Sequence, residues 1–174
     1  TSDHGDYLGD HWLGEKDLFH DEVVRIPMIV MDPRSSANAT RGKAISDFMQ
    51  AIDLVPTFLD MAGGEAAPHR LEGASVRPFI EGSRPERWRD AVFCDSDFAL
   101  RHARTTLGLA EDKARGFMVR TSAWKYVFFE EYAPMLFDLT TDPNELVDLG
   151  TSRAHAHVLA EMKDRMFDWL RTRK

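Results

Sequence analysis

The sequence predicts an α/β protein in which an αβ portion is followed by a small antiparallel sheet and a C-terminal helix. A mostly apolar run at residues 22–33 is typical of a strand buried on both faces of a parallel sheet. Four short β-prone runs follow residue 90, and the chain closes on an amphipathic stripe at helical spacing. We therefore place two domains at residues 1–89 and 90–174.

Composition and charge exclude several classes of protein. The 174 residues carry a net charge of −7, with 29 acidic and 22 basic side chains, so no basic surface is available for nucleic acid. No apolar run approaches the ~20 residues of a membrane span. The single cysteine, Cys94, excludes an internal disulfide and favours a reducing compartment. We expect a cytoplasmic protein with no nucleic acid or membrane partner. A periplasmic location stays open, since the true N-terminus is not visible.

The αβ portion continues with a helix at residues 53–62. Val55, Leu59 and Ala62 fall at helical spacing, and the pair of glycines that follows is a helix stop. Pro56 is accepted because it falls in the first turn, with Asp53 as the N-cap. A short helical turn is predicted at residues 76–81.

The second portion contains the predicted sheet. Runs at residues 91–94, 116–121, 125–130 and 135–139 are separated by turn-like residues and predict about four antiparallel strands. Residues 98–115 are predicted as a partly helical excursion over the surface. The final helix carries an apolar stripe that packs on one face of the sheet, formed by Val158, Met162, Met166, Trp169 and Leu170.

The start of the chain carries the candidate site. Asp3 and His4 combine a carboxylate with an imidazole, and Gly5 allows the backbone turn that two adjacent ligands require. This pair suits one divalent cation, Mn²⁺, Ca²⁺, Mg²⁺ or Zn²⁺, without choosing among them. Lys16 would balance negative charge on a bound anion. Taken alone, Asp-His-Gly is also typical of an ordinary turn, and a single lysine is usually a solvated surface residue.

Other polar residues near the start are given structural roles. His11 and His20 are expected to support the site or the fold. Asp21 and Arg25 are expected to pair at the entry to the first strand. Cys94 lies in a predicted strand with no base beside it, so we exclude it as a nucleophile.

Four segments in order resemble the sulfatase family of the alkaline phosphatase superfamily. The site segment, residues 1–16, resembles its late metal-binding segment, and residues 25–30 its next strand. Residues 52–63 resemble its Asp-x-x-Pro-Thr helix, and residues 124–145 its C-terminal sheet. Within the family the chain is most similar to the branch of phosphonate monoester hydrolases and phosphodiesterases. The resemblance implies the C-terminal part of an alkaline phosphatase-like α/β/α fold.

The resemblance also implies a mechanism. In the family, a Cys or Ser in a Cys/Ser-x-Pro-x-Arg motif becomes formylglycine, which attacks sulfur or phosphorus beside a divalent cation. Asp3 and His4 match two metal ligands, and Lys16 matches the lysine that contacts the charged oxygens of the substrate. Cys94 is followed by Asp95-Ser96-Asp97 and does not fit the motif. We expect the nucleophile and the remaining ligands in preceding sequence, and an isolated chain that is inactive.

Three functions remain at this stage. The first is a metal-dependent hydrolase of phosphonate monoesters or phosphodiesters acting on a small anionic ester. The second is a sulfate-ester hydrolase of the same family, since both chemistries present charged tetrahedral oxygens. The third is a non-enzymatic α+β assembly or binding module. The many aromatic residues of the C-terminal half favour a homo-oligomer. The resemblance implies the same, because the phosphonate monoester hydrolase branch commonly forms homo-oligomers.

Overall fold

The computed structural model describes residues 1–67 and 69–173 and contains two compact units. Unit 1 comprises residues 1–3, 26–90 and 173, and unit 2 comprises residues 4–25 and 91–172. The division into domains at 1–89 and 90–174 stays a prediction about the whole protein.

In the described residues the chain forms five α-helices and four β-strands. The helices are α1 (Asp21–Val24), α2 (Leu54–Met61), α3 (Arg77–Ile80), α4 (His102–Leu107) and α5 (Ala156–Thr172). The strands are β1 (Ala91–Asp97), β2 (Arg115–Thr121), β3 (Trp124–Phe129) and β4 (Met135–Asp138). Short 3₁₀ turns occur at Asp10–Trp12, Ser35–Ala37, Ala51–Asp53, Glu111–Lys113 and Arg153–His155.

The predicted sheet is confirmed. Its strands pair antiparallel in the order β1-β2-β3-β4, so each strand pairs with the next along the chain. Val119 at the centre of β2 lies opposite Phe93 on β1 and Tyr126 on β3. The excursion between β1 and β2 contains α4, as the sequence indicated.

Helix α5 covers one face of this sheet, as predicted. Val119, Tyr126 and Leu136 are fully buried there, because they lie directly opposite one another on neighbouring strands and share this face. Met162 and Met166 of α5 complete the same apolar cluster. The first layer of unit 2 is therefore an ordinary helix-on-sheet core.

The opposite face of the sheet is covered by the segment at residues 4–25, which the sequence did not predict. Phe19 is 3% exposed and packs with Met118 of β2 and Val127 of β3. Cys94 and Met135 lie against the same cluster. Phe19, three residues after Lys16, is thus part of a core of unit 2, which ties this part of the segment to the sheet.

A buried lysine ties this segment to the sheet. Lys125 of β3 is fully buried, and its ammonium donates to the carbonyl of Phe19 at 3.0 Å and to Asp21 Oδ1 at 2.6 Å. The carboxylate of Glu145 also contacts this ammonium. Arg120 forms a second, two-pronged pair with Asp21 at 3.0 and 3.1 Å. We call these four side chains the Lys125 cluster.

The two carboxyl groups of the cluster differ in proton affinity. Burial alone would raise the pKa of Asp21, but the Lys125 ammonium and the Arg120 guanidinium outweigh it and lower that pKa. Burial raises the pKa of Glu145, and the Lys125 ammonium offsets it only in part. Asp21 is therefore the firm counter-ion of Lys125. Glu145 also accepts the backbone N–H of Asp21 at 3.0 Å.

In unit 1 the predicted helix at residues 53–62 is confirmed as α2, and the turn at residues 76–81 as α3. Asp53 acts one turn earlier than expected, since its Oδ2 accepts the backbone N–H of Gln50 at 2.8 Å. The fully buried Asp53 carboxylate also pairs with both terminal nitrogens of Arg89 at 2.5 Å and accepts the N–H of Ala74. Asp53 thus connects the start of α2 to Ala74 and Arg89 within unit 1.

The strand predicted at residues 22–33 is wrong for this chain. Its first residues form the helical turn α1, and residues 26–33 carry no strand pairing. A strand needs hydrogen-bonding neighbours, and the described residues supply none outside the four-stranded sheet. Ile29 and Met31 are 86% and 83% exposed as a result. No helix among the described residues is long and apolar enough to cross a membrane.

Replacing Lys125 with Met should lower the free energy of unfolding by about 3–5 kcal/mol, because the buried Glu145 carboxylate would lose its counter-ion and the partly buried Asp21 would keep only Arg120. Denaturant unfolding of the protein measures this. Lys163→Met, at an exposed position of α5, is the matched control and should change stability by less than about 0.5 kcal/mol. A loss below about 1 kcal/mol for Lys125→Met would contradict the role given to the cluster.

Candidate active site

Gly5 sets the start of the site segment. Its backbone N–H donates to the carbonyl of Val23 at 2.8 Å. A Cβ atom at residue 5 would lie 1.9 Å from the carbonyl oxygen of Glu22, so only glycine fits. Gly5 was expected to allow a backbone turn, whereas the structure shows that it allows close approach of the backbone to α1.

The loop between Gly5 and Lys16 folds back on itself. Tyr7 N–H donates to the carbonyl of Glu15 at 3.0 Å, and Gly9 N–H to that of Leu13 at 3.0 Å. Non-glycine residues with positive φ lie in this loop, at Leu8, His11, Trp12 and Glu15. Such conformations cost roughly 1–2 kcal/mol each and concentrate at functional sites.

The fold-back brings Lys16 to His4. The Lys16 ammonium donates to Nε2 of His4 at 2.6 Å. Nδ1 of the same ring lies 2.6 Å from the carbonyl oxygen of Gly5 and donates to it. This second bond fixes the tautomer with the proton on Nδ1 and the lone pair on Nε2, which is the form that ligates metals.

The Nε2 lone pair serves one partner at a time. It accepts from Lys16 in this structure, so a cation that bound Nε2 would displace the ammonium to a neighbouring position. Lys16 is exposed and has a flexible stem, so this displacement is sterically simple. His4 and Lys16 can therefore act together on an anion. His4 can hold a metal cation, and the flexible Lys16 side chain carries a second positive charge.

Asp3 is exposed and belongs to unit 1, whereas His4 is half-buried and belongs to unit 2. Their carboxylate oxygen and imidazole nitrogen are a donor set that divalent cations accept. Within residues 1–67 and 69–173, no group of three or more His, Cys, Asp and Glu side chains could hold a metal ion. The assignment of Asp3 and His4 as metal ligands therefore stays a prediction.

His20 and His11 form a support beneath the loop. His20 is 8% exposed, its Nδ1 accepts the Tyr7 hydroxyl at 2.7 Å, and its ring stacks on His11 at 4.0 Å between centroids. Burial, and then the neighbouring His11, lower the pKa of His20 to about 4. Burial raises the pKa of Tyr7 to about 12. Both side chains are neutral at pH 7, which suits a structural role.

Asp21 pairs with Arg120 and Lys125 rather than with Arg25 as predicted. Sequence analysis missed Lys125 and Glu145 because a lysine in a strand and a glutamate in a turn are usually solvated. Burial, together with the charge of Asp95, raises the pKa of the Cys94 thiol, which agrees with its exclusion as a nucleophile.

One five-residue stretch matches the spacing Ser-x-Pro-x-Arg, at residues 83–87, and the sequence analysis overlooked it. It follows the metal-binding segment in the chain, whereas the resemblance places the nucleophile motif before that segment. Ser83 lies in the turn after α3, where its hydroxyl donates to the carbonyl of Pro78 at 3.1 Å. Arg84 pairs with Asp47 at 2.6 Å. We assign this stretch a structural role.

Residues 9–172 match the family of N-sulphoglucosamine sulphohydrolase C-terminal domains, which is nearly the whole chain. The chain belongs to the sulfatase family of the alkaline phosphatase superfamily. The expected resemblance and fold class are thereby confirmed. The match includes Lys16 and the Lys125 cluster, so the arrangement described above lies inside the family domain.

A phosphonate monoester hydrolase and arylsulfatases are both among the proteins that are similar to the chain. The multifunctional alkaline phosphatase superfamily protein PehA of Trinickia caryophylli is 31% identical over 97% of this chain and 33% of its own length. Arylsulfatase K of Xenopus laevis is 30% identical over 86% of the chain and 27% of its own length. The phosphonate monoester hydrolase of Agrobacterium radiobacter superposes with a TM-score of 0.86 at 32% identity, covering 96% of this chain and 33% of that one. The chain thus spans between about a quarter and a third of the length of these relatives.

The depressed pKa of His20 predicts that the protein loses stability as the pH falls. The unfolded chain binds a proton below pH ~6.5 and the folded chain only below the folded pKa of about 4, so unfolding is favoured as pH drops between these values. The loss should approach about 3 kcal/mol. Unfolding free energies at pH 7 and pH 4.5 measure it.

His20→Asn keeps an acceptor for Tyr7 and removes the titrating ring, so it should remove most of this pH dependence. His157→Asn, at an exposed position of α5, is the control and should leave it unchanged. Equal pH dependence in wild type and His20→Asn would show that another group is responsible.

Proposed function

We propose that the protein containing this chain is a metal-dependent hydrolase of phosphonate monoesters and phosphodiesters. The observation that carries the proposal is the contact between Lys16 Nζ and His4 Nε2, at 2.6 Å, on a segment anchored to the sheet. This contact places the lone pair of His4, which can ligate a metal ion, beside the positive charge of the flexible Lys16 side chain. The likeness to PehA and to the phosphonate monoester hydrolase structure favours phosphorus over sulfur.

Asp3 and His4 would hold the cation, with His4 oriented by its bond to the Gly5 carbonyl. When bound, a divalent cation acts as a Lewis acid on an ester oxygen. Lys16, released from Nε2, would neutralise the charge that develops on a non-bridging oxygen in the transition state. Trp12, which is fully exposed within this loop, has no role in this scheme.

The attacking group is proposed to be a formylglycine supplied by a part of the polypeptide outside these residues. Covalent catalysis by such a group splits ester hydrolysis into two easier steps. Neither Cys94, with its raised pKa, nor Ser83, in a surface turn, is suited to that role. The isolated chain of 174 residues is accordingly proposed to be inactive.

The exposed apolar surface of unit 1 supports the proposal that this chain is part of a larger catalytic domain. Ile29, Met31 and Phe58 are 86%, 83% and 62% exposed, and large exposed apolar groups mark surfaces that other protein covers. Residues 26–33 have the composition of a central strand without a pairing partner. We propose that the remaining two-thirds of the protein, judged by the length of its relatives, pairs with this segment.

The likeness to arylsulfatase K favours sulfate esters as the second candidate substrate. A panel on the full-length protein distinguishes the two, using 4-nitrophenyl phenylphosphonate, bis(4-nitrophenyl) phosphate and 4-nitrophenyl sulfate. We expect kcat/KM to be higher for the two phosphorus esters. A clear preference for the sulfate would overturn the first choice in favour of the second.

Metal content and turnover should respond differently to three substitutions in the full-length protein. Asp3→Asn and His4→Ala should each lower bound metal, measured by elemental analysis of the purified protein. Lys16→Ala should leave metal bound and reduce kcat by about 10²-fold, as removal of one electrostatic donor does.

Matched controls accompany these variants. Asp164→Asn and Lys43→Ala change exposed residues of the same types, and Ser83→Ala removes the hydroxyl of the overlooked motif. All three should retain metal and activity. Unchanged kinetics in Lys16→Ala, or lost turnover in Ser83→Ala, would contradict the assignment of roles.

A further inference from the structure

His11 is the inward-pointing side chain of the loop that leads to Lys16. Of residues 8–17, all of which the structure describes, it alone is not exposed. Its side chain is 11% exposed, whereas the next residue, Trp12, is fully exposed. His11 is therefore the point at which the middle of this loop is attached to the rest of unit 2.

The backbone conformation that turns His11 inward is unfavourable by itself. His11 and Trp12 have φ angles of 51° and 60°. These values lie in the left-handed region, which side chains other than glycine rarely adopt because Cβ crowds the following carbonyl oxygen. The inward ring must therefore make a contact that offsets this cost if the loop is to keep its shape.

The ring of His11 lies beside a carboxylate oxygen that lacks a hydrogen bond. Glu22 Oε2 is buried, and none of the described residues donates a hydrogen bond to it. His11 Nε2 lies 3.5 Å from this atom, at the long end of ion-pair distances. A buried carboxylate oxygen without a donor is costly. A His11 ring with a proton on Nε2 supplies that donor, whether the ring is neutral or cationic.

Two neighbouring rings hold His11 next to Glu22. His11 stacks on His20 with 4.0 Å between the centroids and 21° between the planes. Tyr7 packs edge-on against both rings, with centroids at 6.0 and 5.6 Å. The Tyr7 hydroxyl donates to Nδ1 of His20, so the His20 ring is itself fixed. These contacts restrain the His11 ring on the side of the loop that faces α1.

The backbone of the loop connects this attachment to Lys16. Tyr7 N–H donates to the carbonyl of Glu15 at 3.0 Å, and Lys16 is the next residue. Lys16 is exposed, so the course of the loop rather than burial of the side chain sets its position. His11 lies inside the stretch that this hydrogen bond closes. A loop released at His11 would therefore let Lys16 move away from His4.

We propose that His11 and Glu22 are positioning residues for Lys16. The bond between them keeps the loop closed, and the closed loop keeps the Lys16 ammonium at Nε2 of His4. Neither residue contacts the substrate in this scheme, and both act through Lys16. The consequence for turnover rests on the proposed function, whereas the effect on the position of Lys16 does not.

The direct test measures the position of Lys16 without turnover. The full-length protein is first treated with a chelator, because a cation at Nε2 of His4 would itself displace Lys16. It is then labelled with a trace of acetic anhydride, and peptide mass spectrometry gives the acetylation rate of Lys16 relative to the exposed Lys43. His11→Ala should raise this rate by about twofold to tenfold, as loss of one ordinary hydrogen bond from the ammonium would.

Conservative variants separate positioning from a general loss of structure. His11→Gln places an amide nitrogen near the position of Nε2 and can still donate to Glu22, so its rate should stay within about twofold of wild type. Glu22→Ala removes the acceptor and should reproduce the effect of His11→Ala, which keeps the test decisive if His11→Ala does not fold. His157→Ala and Glu161→Ala, at exposed positions of α5, are the matched controls and should leave the rate unchanged.

Kinetics of the full-length protein test whether His11 acts through Lys16. His11→Ala should leave KM unchanged and lower kcat by about tenfold, less than the ~10²-fold expected for Lys16→Ala. The double variant His11→Ala/Lys16→Ala should lose no more activity than Lys16→Ala alone, because the two changes remove the same contribution. Losses that multiply in full would show that His11 acts independently and would overturn the positioning role.

The outcomes separate this proposal from the proposed function. Faster acetylation in His11→Ala that His11→Gln restores would support the positioning role even if the protein hydrolysed no ester. An unchanged rate in both His11→Ala and Glu22→Ala would overturn it even if turnover were normal. A rate in His11→Gln as high as that in His11→Ala would also overturn it, since a retained donor should hold the loop.

Discussion

The buried ammonium of Lys125 is the interaction on which the rest of unit 2 depends. It extends from β3, an inner strand of the sheet, and is satisfied by the Phe19 carbonyl, Asp21 and Glu145. A buried charge is tolerated only with such partners, so the segment at residues 4–25 must dock on this face for the sheet to be stable. Without Lys125, the segment would keep the apolar contacts of Phe19 and Val24 and the pair between Arg120 and Asp21.

The geometry of the candidate site follows from this docking. Once Phe19 and Asp21 are fixed, the carbonyl of Val23 receives the Gly5 N–H, and the loop from Gly5 must close over a short span. The loop closes through left-handed residues and places Lys16 against His4. The contact between ammonium and imidazole is thus a consequence of the sheet beneath it, although neither residue touches the Lys125 cluster in the contacts described above.

Much of the fold could be predicted from sequence because its signals are local. The four strands of the sheet, α2 and α5 were predicted from periodicity and turn residues, which depend on neighbours in the chain. The strand at residues 22–33 failed because a strand exists only when its partners do, and periodicity cannot supply them. The docking of residues 4–25 was missed because burial of Lys125 is a long-range event that one sequence does not encode in any local pattern.

The site was predicted unevenly for the same reason. Asp3, His4 and Lys16 stood out by residue type, and the structure brings His4 and Lys16 into contact. Glu145 was interpreted as part of a turn, yet it contacts Lys125 and accepts the N–H of Asp21. The Ser-x-Pro-x-Arg stretch at residues 83–87 was overlooked, and its spacing alone does not reveal its role until the surface turn around Ser83 is seen.

The most direct test of the account is a crystal structure of the full-length protein loaded with Mn²⁺, with the ion located by anomalous scattering. The account predicts an ion about 2 Å from Nε2 of His4, Nδ1 still donating to the Gly5 carbonyl, and Lys16 no longer bonded to the ring. An ion bound elsewhere, with Lys16 still donating to Nε2, would contradict it.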